Sequence, residues 1–313
     1  MHVVITGANG FVGQNLVSRL LADPRALPGW SRLTLLDLAF EQPLRDPRVR
    51  CLEGDLNDPA LIADTLDEPV AVLFHLGSVP GGLAEREYEL GRRVNLDATL
   101  ALFEALRSQE HPARVVFAST IAVYGALPEG PMDESAPLLP QLSYGTQKLI
   151  GELLLEDFSR RGELDGIALR LPGIVARPPQ PSGLLSAFMS DLFWSLRDGQ
   201  PFVCPVSPQG TAWWMSVACC VDNLLHAARQ PAVSLAGHRT ITLPVLHLSV
   251  EAVVEGLCQR YGEDRQQLVS YRPDPALAQA FAKYPALATP VAERLGFAHD
   301  GDLAGLIART LDG

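Results

Sequence analysis

The chain has 313 residues, 47% of them hydrophobic and 19% charged, enough to bury a sizeable core in one large domain or in two. Its formal net charge of −11 argues against a nucleic-acid binder, which carries a basic face, although a few local arginines still suffice for an anionic substrate. Five cysteines without C-x-x-C spacing and seven histidines without ligand-spaced clustering point to reduced thiols and to no metal site.

The chain opens directly into a strand, without a basic leader or a cleavage site. No apolar run approaches the roughly 18 residues that span a bilayer. A soluble, cytoplasmic protein that does not engage membranes is expected.

Short apolar runs alternate with helical patterns through the first half. Strands are predicted at 3–5, 33–38, 49–52, 70–76, 115–119 and 167–171. A helix is predicted over 11–22, with Val12, Leu16 and Leu20 on one stripe, and others over 59–66, 84–108 and 144–160. This rhythm implies an α/β fold, a doubly wound parallel sheet covered on both faces. After Pro172 the rhythm breaks in the proline-rich stretch RPPQPSG, which cannot serve as a central strand. A helix follows over 184–197, then a sheet-covering helix over 222–228, a late strand over 240–243, and mostly short helices from Ser249. The expected division is a dinucleotide domain over 1–172, with roughly 215–247 returning to it. A smaller substrate lobe takes 173–214 and 248–313.

Gly7, Gly10 and Gly13 form G-x-x-G-x-x-G between the first strand and the first helix. Glycine permits a tight turn and close approach to a pyrophosphate, and the helix N-terminus offers N–H groups and a positive dipole end. Asn9, Phe11 and Val12 complete this loop. Asp37 ends the second strand, where a carboxylate accepts from ribose hydroxyls and repels a 2′-phosphate, favouring NAD over NADP. Asp55, followed by Leu56, is placed either at the adenine or at the cap of the next helix. Leu76, Gly77 and Ser78 follow the fourth strand at the carboxyl edge of the sheet. Asn95 lies mid-helix, either as a structural bond or in a water relay.

Tyr144 and Lys148 stand four residues apart on a predicted helix and so share one face. A neighbouring ammonium favours a phenolate, the form that takes a proton at neutral pH. Ser119 and Thr120 end the fifth strand and offer hydroxyls to a substrate oxygen. The combination points to hydride transfer with tyrosine as general base.

These pieces together — TGANGFVG, LLDL, GDLND, FHLGS, RRVNLDATL, FASTIAVYG, SYGTQK and LRLPG — resemble the extended short-chain dehydrogenases/reductases over essentially the whole chain. The resemblance implies that Thr120, Tyr144 and Lys148 are the catalytic trio, with Asn95 as an accessory and Ser119 as the near neighbour of Thr120. It implies that Pro172, Gly173 and Ile174 border the nicotinamide, and that the enzyme is a homodimer joined by the helices 84–108 and 144–160. Within the family the wording is most similar to NAD-dependent enzymes that oxidise a four-carbon sugar acid at C2. Two departures lie near the substrate: Gly173 where Thr is expected, and Ser78-Val79-Pro80-Gly81-Gly82 in place of a Ser-Gly-Glu loop.

An acid substrate needs a cation, and Arg177 is the candidate, since guanidinium pairs bidentately with carboxylate. Ser78, Gly81 and Trp214 are the further candidate substrate contacts, and Trp213, Trp214 and Ser216 are placed either as walls of the pocket or, for the tryptophans, in a core or interface. A nucleotide-sugar epimerase would use the same trio with retained NAD, and a non-catalytic NAD sensor would not need the tyrosine. A dehydratase of the family places Asp-Glu after the threonine, whereas Ile121-Ala122 follows here and has no acid–base chemistry.

Overall fold

The computed structural model describes residues 1–41, 44–179, 186–235 and 237–311. The proline-rich stretch beyond residue 179 and the first two positions of the helix expected at 184–197 lie outside the described residues. The chain divides into two compact units. The first comprises Met1–Gly125, Leu139–Arg170 and Val221–Ile241, and the second Ala126–Leu138, Leu171–Cys220 and Thr242–Gly313. The second unit thus takes in 126–138, which the sequence reading gave to the dinucleotide domain.

The first unit is built on β1 (His2–Thr6), β2 (Arg32–Asp37), β3 (Val49–Glu53), β4 (Val72–His75), β5 (Arg114–Thr120), β7 (Asp165–Leu171) and β11 (Thr240–Thr242). They form one seven-stranded sheet in the order β11-β7-β5-β4-β1-β2-β3. The pairs β1–β2, β2–β3, β1–β4 and β4–β5 run parallel. Strand order reverses between β1 and β4, and a crevice for ligands opens at the carboxyl ends on either side of such a reversal. The fold is a doubly wound Rossmann-type sheet.

Helices α1 (Phe11–Ala22), α2 (Pro59–Thr65), α5 (Ala98–Leu106), α6 (Ser143–Arg160) and α8 (Val217–Arg229) flank it, the last from Val221 onward. Val3, Val4 and Ile5 are wholly buried, as a central strand covered on both faces requires. On one face Phe103 meets Phe117 and Phe158 edge to face, with ring centroids 6.1 and 6.3 Å apart. Each buried aromatic contributes about 1.5–3 kcal/mol by leaving water.

The helix expected over 84–108 is not continuous. It breaks into α3 (Gly81–Arg86), α4 (Tyr88–Arg92), a π-helical turn (Arg93–Asp97) and α5. Glu87 leaves helical geometry at φ −120°, ψ 70°. The π turn carries Asn95, whose side chain is fully committed to neighbouring segments, as described below. Such turns place a side chain that a regular helix would aim elsewhere.

The second unit has its own sheet, β12-β10-β8, from β8 (Gly173–Val175), β10 (Thr211–Ser216) and β12 (Leu246–Ser249). Two short pairs add β6 (Met132–Asp133) with β14 (Leu287–Ala288) and β9 (Phe202–Cys204) with β13 (Val269–Tyr271). Helices α7 (Ala187–Arg197), α9 (Val250–Tyr261), α10 (Pro275–Phe281), α11 (Pro290–Arg294) and α12 (Leu303–Leu311) complete it. Its core gathers Leu192, Phe193, Trp214, Val253, Leu257 and Ile307. The strand at 211–216 was not anticipated, because WWM alone does not separate strand from helix.

Candidate active site

The glycine loop leaves β1 with Gly7 at φ +69°, a left-handed conformation. A Cβ at Gly7 would lie 2.6 Å from Gly77 N and 2.7 Å from Gly77 Cα. The loops after β1 and β4 therefore touch backbone to backbone. The Gly7 and Ala8 N–H groups donate to Leu36 O, at 2.9 and 3.3 Å, and tie the turn to β2. Gly10 is exposed, and α1 begins behind it at Phe11 and Val12 with no side-chain cap and no acidic residue in its first turn. Gly13 is buried inside that turn. An uncapped N-terminus behind a bare backbone turn fits a pyrophosphate.

Asp37 closes the loop from the other side. Its Oδ2 accepts from Asn9 N at 2.8 Å and its Oδ1 from Leu38 N at 2.7 Å. Each oxygen keeps a lone pair for a ribose hydroxyl. The Asn9 side chain donates to Ala39 O at 2.9 Å, which braces the same turn. Asp55 Oδ1 accepts from Asn57 N and Asn57 Nδ2, both at 2.9 Å, and the carboxylate pairs with Arg93 at 3.4 Å. These bonds, the Asn57 backbone first, hold its carboxyl below the usual carboxylate range. The cap of α2 is Asp58, not Asp55. Leu56 is buried with Leu36 and Ala98. After β4, Leu76 N donates to Thr6 O at 3.1 Å, Gly77 N to Thr6 Oγ1 at 3.3 Å, and Ser78 is exposed.

β5 and the turn after it are fastened to α6 at three points. Lys148 Nζ donates to Ala118 O at 2.9 Å. Gly145 is notched against Ala122, where a Cβ would come 2.6 Å from the carbonyl oxygen. A second notch lies at Gly151, where a Cβ would meet the Phe117 ring at 2.8 Å. Thr120 falls between the first two fastenings. Its Oγ1 accepts from Ala122 N at 3.1 Å and leaves its own O–H to donate. Tyr144 is half-buried, and its ring lies beside Gly81, where a Cβ would be 3.5 Å from Cδ1. Lys148 Nζ is 5.9 Å from the Tyr144 ring centroid and 4.7 Å from that of Phe117. Burial pushes the Lys148 ammonium down to about 7, and the Glu152 carboxylate opposes that shift.

Two candidates of the first unit are buried in structural bonds. Ser119 is not presented to a substrate: it is buried and its Oγ donates to Glu152 Oε1. Successive strand residues face opposite ways, so Thr120 and Ser119 cannot share a role. The Asn95 side chain takes the structural one of its two readings. It is wholly buried, accepts from Val79 N at 2.7 Å, and donates to Val79 O at 3.1 Å and Gln147 Oε1 at 2.9 Å. It clamps the loop after β4 to α6.

In the second unit, Trp214 does not wall a substrate cavity. It is fully buried, donates to Leu248 O at 3.0 Å and packs on Phe193 with centroids 6.1 Å apart. Trp213, on the other face of the strand, donates to Pro285 O at 2.7 Å, and Ser216 is buried on Asp300. Arg177 is half-buried, and its carbonyl accepts from Trp194 Nε1 at 2.6 Å. Pro172 is buried, while Gly173 and Ile174 pair in parallel with Trp214 and Met215.

The Gly173 departure has a steric cause. A Cβ there would fall 2.9 Å from Trp213 O and 2.8 Å from Met189 Cε. The methionine can yield, but the strand carbonyl cannot. Gly173→Ala is expected to lower stability by about 1–3 kcal/mol, read as a lower midpoint in urea denaturation at unchanged slope.

Sequence reasoning missed three buried groups behind the site. Glu152 lies one helical turn beyond Lys148, and Arg170 is a lone cation inside the apolar run IALRL. Their Oε2 and Nη2 atoms are 2.8 Å apart. His75, in FHLGS, shares hydrogen bonds with Thr6 Oγ1 at 2.7 Å and Thr99 Oγ1 at 2.9 Å. Full burial, with Lys148 nearby, drives it down to about 3, so it stays neutral.

Residues 3–240 match the NAD dependent epimerase/dehydratase family. The D-erythronate dehydrogenase of Cupriavidus necator is 39% identical, over 98% of this chain and 97% of its own length. That of Haemophilus influenzae is 35% identical, over 100% of this chain and 99% of its own. A solved nucleoside-diphosphate-sugar epimerase from Agrobacterium tumefaciens superposes with a TM-score of 0.90 at 34% identity, covering 98% of this chain and 92% of that one. With a glycine cradle, a carboxylate at the end of β2 and a Tyr–Lys couple on α6, the chain belongs to the NAD-dependent epimerase/dehydratase family, as an extended short-chain dehydrogenase/reductase whose cofactor is NAD.

Proposed function

We propose that the enzyme oxidises the C2 hydroxyl of a small aldonic acid, D-erythronate or a near analogue, with NAD as hydride acceptor. The observation that carries this reading is the Tyr144–Lys148 couple, with Lys148 Nζ fixed on Ala118 O at 2.9 Å and 5.9 Å from the Tyr144 ring centroid. The names of the two relatives of nearly equal length supply the acid.

Thr120 donates its free O–H to the substrate oxygen and orients it. The Tyr144 phenolate takes the hydroxyl proton as the C2–H electron pair leaves as hydride, and the C–O bond becomes a carbonyl. NAD, when bound, accepts that hydride. Lys148 holds the phenolate by its charge. Arg177 is the proposed partner of the substrate carboxylate, and Ser78 and Gly81 are proposed to border the substrate from the loop after β4.

The test is a panel of C4–C6 aldonic acids with NAD, followed by absorbance of the reduced cofactor. Net NADH formation with one acid is the expected result. The likeness to a nucleotide-sugar epimerase favours one competing reading. A UDP-sugar converted with no net change in cofactor would replace the dehydrogenase by it.

We also propose a cytoplasmic homodimer. Leu100 on α5 and Leu153 on α6 are 36% and 60% exposed, and Leu96, Leu149 and Ile150 beside them are only half-buried. Such a stripe suits pairing with a second copy. Sedimentation at twice the chain mass supports it, and sedimentation at the chain mass removes it. Among the described residues no helix is long and apolar enough to cross a membrane.

A further inference from the structure

Behind Lys148 lies a charged cluster that takes no part in the proton and hydride steps. Glu152 and Arg170 have side chains only 3% and 9% exposed. Arg170 Nε and Nη2 donate to Glu152 Oε1 and Oε2, at 3.0 and 2.8 Å, and its Nη1 donates to Tyr124 Oη at 3.2 Å. The remaining donor to Glu152 is Ser119 Oγ. The cluster joins α6, β7, the end of β5 and the turn that follows it. Burying two charges is expensive, and an apolar pair of similar volume often folds as well. The pair therefore calls for a role besides stability.

Its position suggests one. Tyr144, Lys148 and Glu152 recur at every fourth residue of α6 and so lie along one face. Around the Lys148 ammonium are Tyr144 and Glu152 from α6, neutral His75 from β4, and the Phe117 ring and Ala118 carbonyl from β5, with Arg170 of β7 behind Glu152. Glu152 supplies the negative charge that steadies the ammonium, and Arg170 limits how strongly it does so.

We infer that Glu152 and Arg170 are positioning residues whose balanced charges set the protonation of Lys148, and through it that of Tyr144. The inference rests on the Tyr144–Lys148 reading for its catalytic meaning, but its test does not need the substrate. Glu152→Gln leaves a net positive charge beside Lys148, which makes the ammonium proton easier to lose and so withdraws at lower pH the charge that favours the Tyr144 phenolate. Arg170→Gln leaves a net negative charge and does the reverse. A scaffold role alone predicts lost activity without opposite displacements.

The chain contains only two lysines, Lys148 and Lys283, and Lys283 is exposed with its Nζ 2.8 Å from Gln279 Oε1. Lysine labelled with 13C at Cε therefore gives two side-chain signals, one of them an internal control. In the cofactor-free protein the Lys148 titration midpoint is expected to fall by about one pH unit or more in Glu152→Gln and to rise by a similar amount in Arg170→Gln. In the double variant it returns near the starting value. The high-pH limb of the kcat/KM profile, where the ammonium is lost, moves in the same two directions. Midpoints that stay put, or that move the same way in both single variants, overturn the inference. If one single variant does not fold, the sign of the other decides. If neither folds while the double variant does, the pair is a folding element and the inference fails. Should no acid be oxidised while the two midpoints move apart, the proposed function fails and the charge balance stands.

Discussion

Tyr144→Phe is expected to cut turnover by roughly 10²–10⁴-fold, the usual range for losing a general base, while NAD affinity stays unchanged. That loss corresponds to about 2.7–5.4 kcal/mol of transition-state stabilisation. The argument is local. The substitution removes one oxygen and keeps the ring on Gly81, so α6 retains its packing. Lys148 keeps its bond to Ala118 O, so β5 and Thr120 stay where they are. Nothing in the glycine loop is touched. Stopped-flow turnover and fluorescence titration of NAD measure the two quantities separately. Turnover close to that of the parent enzyme would remove Tyr144 as the base. A parallel loss of NAD binding would mean instead that the ring itself supports the cofactor.

Gly7→Ala is expected to weaken NAD binding by roughly tenfold or more, about 1.4 kcal/mol, and to lower the thermal midpoint of the unliganded chain. Two costs coincide at one atom. The left-handed φ of +69° costs an L-residue about 1–2 kcal/mol. The new methyl also falls 2.6 Å from Gly77 N, which is backbone and cannot swing aside as a side chain can. Relief requires the turn after β1 to move away from the turn after β4. That movement carries the Asn9 N–H off the Asp37 carboxylate and changes how α1 presents its N-terminus. Calorimetry with and without NAD reads both effects. An alanine variant that binds NAD and melts like the parent would show that this turn is not the pyrophosphate cradle.

Periodicity made the sheet of the first unit readable, because strands covered on both faces are short unbroken apolar runs. The glycine turn, Asp37 and the Tyr–Lys spacing were legible for the same reason: each function needs fixed residue types at fixed separations along one element. Other parts were hidden because they depend on contacts between distant segments. The π turn carries Asn95 bonded to Val79 and Gln147, and no local pattern announces that turn or the break at Glu87. Trp214 read as a possible cavity wall because tryptophan is ambiguous until its strand partners are known. Ser119 stood as the near neighbour of Thr120 until strand alternation sent it to Glu152 and left the Thr120 hydroxyl on the turn at Ala122. Glu152 and Arg170, 18 positions apart, were inconspicuous singly, and only burial reveals them as a pair.

The two notches in α6 carry a consequence for how such an enzyme can diverge. Gly145 rests on a backbone oxygen and Gly151 on an aromatic ring, so the helix can neither slide along β5 nor roll on it. The base and its ammonium thus have one permitted placement, whatever molecule arrives. New selectivity must then be acquired from segments that are free to vary, and reaction chemistry is inherited as a rigid part while preference is rewritten around it.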